Sequence, residues 1–345
     1  MQGAVFRGDR RVEVREFPDP EPRPGEAILA IRASGMCGSD LHVYRAAPGG
    51  LQTSGDRIAG HEPAGIIAAI GQGPTAGFSV DDRVTVHHYI GCTRCTSCRS
   101  GWPQMCSEAP FRALGTHVHG GHAALMRVPL ASLVPLDERL TFQAGATIGC
   151  GTGTAWGALE RLGEVGGSMI AVFGQGPVGL SVTMLAAARG AEVLALDPSP
   201  QRLDQARNFG AFATVDPTAA SSLDAIRELT HGEGVAAAVE TSGSTQAVSQ
   251  AMAALAPWGR LALVGLGGEA RFRIDEFLDR QVTVMTSWTM SIVQQRRCAD
   301  FIVRKELPID DLFTHQWRLD QVSEAYEEFD KQRAGKGVIL FDATA

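Results

Sequence analysis

The chain has 345 residues, 44% of them hydrophobic and 20% charged, with a formal net charge of −7. That length is comfortable for two domains, and the composition is that of a globular protein rather than a disordered one. The acidic balance opposes the basic footprint that nucleic-acid phosphates require, and the three lysines, Lys305, Lys331 and Lys336, leave few candidates for Schiff-base chemistry.

Residues 1–17 alternate charged and apolar side chains (Val5, Arg7, Val12, Glu13, Val14, Arg15) and lack the apolar core of a secretory signal. A cytoplasmic location is expected. No run approaches the roughly 18 apolar residues of a membrane span, so no membrane partner is expected either. The proline-rich residues 17–25 read as a solvated connection. From 26 to about 135 the apolar runs are short, β-branched and broken by Gly and Pro, which predicts a β-rich, loop-rich region.

Three pieces with metal-ligand chemistry punctuate that region and its end. They are Cys37-Gly38-Ser39-Asp40-Leu41-His42, Gly60-His61-Glu62 and Gly149-Cys150-Gly151. A lone Cys or His usually belongs to a core. Two thiolates and one imidazole together form a catalytic zinc set whose fourth position stays open for water or substrate.

Cys92, Cys95, Cys98 and Cys106 follow a C-x2-C-x2-C-x7-C spacing that gathers four of the seven cysteines within fifteen residues. Disulfides and a tetrathiolate zinc site both explain such crowding. Pairs two residues apart suit a tetrahedral ion, and a reducing cytoplasm favours thiolate–metal bonds over disulfides. A closed tetrathiolate site performs no reaction, so residues 91–107 read as a structural lobe. His117, His119 and His122 lie in a glycine-rich loop, where solvated histidines are expected rather than a third metal. Cys298 reads as a small buried residue.

After Gly149 strands alternate with helical segments, the pattern of a doubly wound parallel sheet. Residues 168–173 form the first strand and Pro177 opens a helix in which Val178, Val182, Leu185 and Ala186 share a face. Between them stands Gly174-Gln175-Gly176-Pro177-Val178-Gly179, a G-x-G-x-x-G turn, and Asp197 follows 23 residues after Gly174. The first glycine permits the tight turn, the second lets backbone approach a pyrophosphate, and the third lets helix and strand pack closely. The helix N-terminus receives the phosphates. Asp197 accepts hydrogen bonds from the adenosine ribose and repels a 2′-phosphate, which favours NAD over NADP, although Arg202 stands near enough to accommodate phosphate.

On these motifs the chain resembles the zinc-dependent alcohol dehydrogenases of the medium-chain dehydrogenase/reductase superfamily, over nearly its whole length. The resemblance implies an α/β protein: a GroES-like β-rich catalytic domain (1–151, lobe 91–107), an inserted Rossmann domain (152–289) and a return to the catalytic domain (290–345). It implies NAD and two zinc ions per chain, a catalytic one on Cys37, His61 and Cys150 and a structural one on the lobe cysteines. Ser39 matches the hydroxyl that takes the alcohol proton, and His42 the histidine that ends the relay to solvent. Asp40 fits the carboxylate that orients the ligating imidazole, and Glu62 the acid behind the metal. Thr154 and Leu266 fall near expected nicotinamide contacts, and Lys336 matches a basic residue that touches the pyrophosphate. A small alcohol or carbonyl substrate and a homodimer or homotetramer are implied, joined through the strand near 281–286.

Two departures bear on function. Gly38 stands where some members carry a cation, so one phosphate contact is missing. His88 stands where several relatives have a large apolar pocket residue. A polar wall there favours a substrate with a second polar group; a histidine simply bonded at a strand end is the competing reading. Polyol, diol and amino-alcohol dehydrogenases of the same superfamily are therefore the main alternative. A zinc-ribbon nucleic-acid module is disfavoured by the acidic chain, and a metal-free reductase by the complete ligand set.

Overall fold

The computed structural model describes residues 1–49, 55–218, 222–331 and 335–342. The chain forms two compact units, one of Met1–Cys150, Ser291–Arg304 and Ile309–Ala345, the other of Gly151–Met290 with Lys305–Pro308. No helix among the described residues is long and apolar enough to cross a membrane.

In the first unit, the alternating N-terminus folds as an antiparallel hairpin, Gln2–Gly8 with Arg11–Glu16, pairing Val5 with Glu13 and Phe6 with Val12. Asp9 and Arg10 at its turn both have positive φ, 50° and 55°, which matches the twist of the flanking strands. The β-rich region therefore begins well before residue 26.

The main sheet runs in the order Phe313–Trp317, Lys336–Leu340, Glu26–Gly35, Glu62–Ile70, Arg83–Val86, Leu133–Pro135. The long strand Glu26–Gly35 is its axis. Leu125–Pro129 pairs with its first half, whereas Lys336–Leu340 pairs with its last three residues. Gly35 thereby stands between Val338 on one side and Glu62 on the other. Leu29, Ile31, Val84, Val86 and Met126 fill the core behind this sheet. A second cluster joins the hairpin to the helix Val322–Asp330 through Phe6, Tyr44, Trp317, Tyr326 and Phe329. Phe6 meets Tyr326 edge to face, with centroids 4.8 Å apart.

The second unit is a six-stranded parallel sheet ordered Ala213–Val215, Glu192–Leu196, Met169–Phe173, Val235–Glu240, Leu255–Leu263, Thr283–Thr286. This is the 3-2-1-4-5-6 order of a Rossmann sheet. Its edge strand Ala213–Val215, three residues long, is too short for the sequence pattern to mark. The helix Pro177–Ala188 is buried from Gly179 through Ala186, not along one stripe, because it packs between the sheet and the helix Gly151–Leu162. At Gly179 a Cβ would stand 1.8 Å from the Gly174 carbonyl oxygen. Gly179→Ala should destabilise this unit by about 1–3 kcal/mol, as overpacked sites do. A urea midpoint equal to that of the unaltered protein would show that the turn relaxes at no cost.

Candidate metal centre and nucleotide turn

Cys37 follows the end of the axial strand, and Ser39 precedes the short helix Asp40–Arg45. His61 and Glu62 sit where the neighbouring strand begins, after Gly60 with its φ of +88°. Cys150 lies just past the helix Phe142–Ile148. These elements bring one donor atom each of Cys37, His61, Glu62 and Cys150 within 4.8 Å of one another.

The Cys37 and Cys150 sulfurs are 3.9 Å apart, and Cys150 Sγ is 3.5 Å from His61 Nε2. Tetrahedral zinc with ordinary Zn–S and Zn–N bonds requires edges of about 3.8 Å between sulfurs and about 3.6 Å between sulfur and nitrogen. The donors are thus already spaced for the ion. The Ser39 hydroxyl donates to Cys37 Sγ at 3.2 Å and lies 3.4 Å from His61 Nε2.

The electrostatics show a site short of positive charge. A hydrogen bond from Cys150 holds Cys37 well below the ordinary thiol range, against the effect of burial. The same bond, with burial, pushes Cys150 well above it. Burial works against a charged His61, yet Asp40 and Cys37 outweigh it and raise the imidazole well above its usual value. Protons are therefore held where a cation would otherwise balance the charge. Burial likewise opposes an ionised Asp40, but His61, then His122 and the Cys37 amide, bring it down to about 2.

Glu62 is fully buried and forms an ion pair with Lys336, whose ammonium also donates to the Met36 carbonyl at 2.9 Å. Burial raises Glu62 to about 7 even beside that cation. Its Oε1 has no hydrogen-bond partner, an acceptor left open for a metal ion or a proton. Gly35 makes room for this carboxylate, because a Cβ there would lie 2.1 Å from Glu62 Oε2. Lys336 differs from its expected placement at a pyrophosphate. It is 2% exposed, because its strand docks beside Gly35 and turns the side chain onto Glu62.

His88 is buried, with its ring centroid 4.9 Å from that of His61 and its Nδ1 3.3 Å from the Gly149 carbonyl. The strand-end bond is present, and the ring also lies beside the donor set. His122, expected in solvent, is fully buried between Ser34 and Tyr326. Tyr326 in turn donates to Asp40 at 3.0 Å. Neither Tyr326 nor Ser34 belongs to a motif, and proximity in the fold alone reveals them. His42 is exposed.

In the lobe, the four sulfurs lie within 4.8 Å of one another, with Cys92–Cys98 and Cys95–Cys106 both at 3.9 Å. A disulfide needs about 2.05 Å, whereas the tetrahedral edge is about 3.8 Å. The cysteines are free thiols spaced for an ion. The Gly101 carbonyl accepts from Ile292 N at 2.9 Å, tying the lobe to the helix Ile292–Lys305.

In the second unit, Gly174 has a φ of +88° and a Cβ on Gly176 would meet nothing within 4 Å, the open space a phosphate approach needs. Pro177 is the first residue of the helix, and it and Val178 are half-buried. Asp197 accepts from Gln175 N at 2.7 Å and Ser199 N at 2.9 Å, with Arg202 Nη1 3.7 Å away. Thr154 is half-buried on the helix Gly151–Leu162, and Leu266 is 65% exposed.

A β-rich unit with two cysteine-based donor sets, continuous in chain with a Rossmann unit, defines a class of metal-dependent dehydrogenases. Residues 23–138 match the alcohol dehydrogenase GroES-like domain and residues 177–304 the zinc-binding dehydrogenase domain. The chain is 35% identical to an uncharacterized zinc-type alcohol dehydrogenase-like protein of Escherichia coli (strain K12), over 99% of each chain. It is 30% identical to a sorbitol dehydrogenase of Bacillus subtilis (strain 168), over 95% of this chain and 93% of the other. Alcohol dehydrogenase TADH from Thermus sp. ATN1 has a TM-score of 0.90 at 27% identity, over 99% of both chains. A zinc-binding dehydrogenase of Sinorhizobium meliloti 1021 bound to NADP has a TM-score of 0.89 at 25% identity, again over 99% of both. This protein belongs to the zinc-type alcohol dehydrogenase family.

Burial holds His87 and His122 neutral, each down at about 4. In the unfolded chain they titrate near 6.5, so the unfolded state binds more protons between pH 6.5 and 4. Stability present above about pH 6.5 is therefore lost toward pH 4, at about 1.4 kcal/mol per group and pH unit. The urea midpoint should fall more steeply with acid than in His87→Asn. Parallel profiles would show that burial of His87 does not govern the acid limb.

Proposed function

We propose that this protein interconverts an alcohol and its aldehyde or ketone, using NAD and a catalytic zinc ion held by Cys37, His61 and Cys150. The donor spacing, together with the buried acceptor left open on Glu62, is the observation that carries this reading. Zinc bound there supplies a Lewis acid that lowers the pKa of a hydroxyl, and NAD bound at Gly174, Gly176 and Gly179 supplies the hydride acceptor. The chain's own residues orient and move protons. Ser39, beside both Cys37 and His61, takes the substrate proton and passes it toward exposed His42, a residue type suited to exchange with water. Asp40 holds the His61 ring so that Nε2 faces the other donors.

Asp197 favours NAD: its carboxylate is fixed by two backbone amides at the end of its strand and would repel a 2′-phosphate. The lobe cysteines hold a second, structural ion. The edge strand Thr283–Thr286 pairs on one side within its sheet, which suits pairing with a second copy in a homodimer or a tetramer of dimers. A cytoplasmic location agrees with cysteines that form no disulfide among the described residues.

Metal analysis should find two zinc ions per chain, and Cys37→Ala should hold one and lose alcohol-dependent NAD reduction while still binding NADH. Alcohol oxidation persisting in Cys37→Ala would overturn the ligand assignment.

A polyol or amino-alcohol substrate is the second reading, and His88 favours it. With Nδ1 donating to the Gly149 carbonyl, Nε2 is left as an acceptor beside the donor set, suited to a second hydroxyl on the substrate. Relatives described as D-xylulose reductase A and L-threonine 3-dehydrogenase agree with that chemistry. His88→Leu should cut kcat/KM for a vicinal diol about five- to tenfold relative to a matched mono-alcohol, the value of one hydrogen bond. An unchanged ratio would remove His88 from substrate recognition.

A further inference from the structure

The polar groups buried behind the candidate metal centre admit one self-consistent arrangement of protons. Ionised Asp40 accepts only. Its Oδ1 lies 3.0 Å from His61 Nδ1, and its Oδ2 accepts from the Cys37 amide at 2.9 Å and from the Tyr326 hydroxyl at 3.0 Å. Tyr326 spends its single proton on Asp40, so its oxygen accepts from His122 Nε2, 2.7 Å away. His122 therefore carries its proton on Nε2, and its Nδ1 accepts from the Ser34 hydroxyl at 2.8 Å. At the other end His61 donates from Nδ1 to Asp40, so Nε2, which faces Cys150, is the nitrogen left to meet a cation once its own proton is given up.

Water has no room to replace a missing partner. Ser34, His122 and Tyr326 have no exposed surface, and Asp40 is 5% exposed. A second contact ties the same histidine to the backbone of the donor set: a Cβ on Gly60, the residue before His61, would stand 2.3 Å from His122 Nδ1. His122 thus packs on the residue that leads into His61 while its hydrogen bonds run to Asp40 from behind.

We propose that Tyr326, oriented by His122, is a positioning residue of the metal centre: by pinning Asp40 it fixes the tautomer and ring plane in which His61 meets a cation. The role rests on the zinc reading of Cys37, His61 and Cys150 given above. Removing the phenol hydroxyl leaves Asp40 one donor short and strands the His122 N–H, so the imidazole loses its anchor without losing any ligand atom. Such supporting groups typically contribute 10–100-fold in metal affinity.

Zinc affinity measured by competition with a chromogenic chelator tests this on the full chain. Tyr326→Phe and His122→Phe should bind one of the two ions about tenfold or more weakly than the unaltered protein, with the lobe ion retained. His122→Gln should restore most of that affinity, because its amide N–H can donate to Tyr326 while its oxygen accepts from Ser34. Retention of the lobe ion and an unchanged far-ultraviolet circular dichroism spectrum separate a loosened centre from misfolding. If Tyr326→Phe does not fold, the two His122 variants decide, and equal affinities in them overturn the proposal. Equal affinity in Tyr326→Phe and the unaltered protein overturns the positioning role but leaves the zinc reading standing. A single ion in the unaltered protein overturns the zinc reading instead.

Discussion

Two thiols and two carboxylates, those of Cys37, Cys150, Asp40 and Glu62, share one interior region of the first unit, and balancing their charge constrains everything around them. An ionised group taken out of water costs several kcal/mol unless it is paired. Among the described residues Lys336 is the one fully buried lysine or arginine, and Glu62 still titrates at about 7 beside it. The remaining deficit is met by protons on His61 and Cys150, which a divalent ion can replace. The register of Glu62 and Val338 on either side of Gly35 is thus an electrostatic requirement as well as a packing one.

The nucleotide turn solves a different problem with backbone instead of charge. Thr241 donates to the Gly174 carbonyl at 2.9 Å, and the Gln175 side chain donates to the Val172 carbonyl at 3.0 Å while accepting from Thr183 at 2.9 Å. These bonds fix the loop in the shape that leaves Gly176 open. A rigid cradle pays its ordering entropy during folding, so less is lost when a phosphate arrives.

Much of this was legible in the chain because its chemistry is local. The lobe is a spacing, the turn is a six-residue string with an acid after it, and Asp40 stands three residues from Cys37. What escaped reading depends on distance. Tyr326 lies 286 residues from Asp40, and nothing near it in sequence marks a polar role. His122 sits among glycines, which usually signal a solvated loop; here they let the loop press against Gly60, since a Cβ on Gly120 would come within 2.1 Å of the Gly60 carbonyl oxygen. Lys336 was misplaced for the same reason, because its partner is chosen by which strand it docks against. The hairpin at 2–16 escaped because Asp9-Arg10 lacks the glycine that usually marks such a turn.

The ion pair between Glu62 and Lys336 spans 274 residues of chain. A ribosome adding about 5–20 residues per second needs roughly 14–55 s to reach the lysine after making the glutamate. Only over the later part of that interval, roughly 9–37 s after Cys150 is made, can every ligand from Cys37 to Cys150 exist while the counter-charge beneath them does not, and Tyr326 is nearly as late. The centre therefore matures last, and a chain cut short before its closing strand would hold the ligands without the charge that lets them be buried.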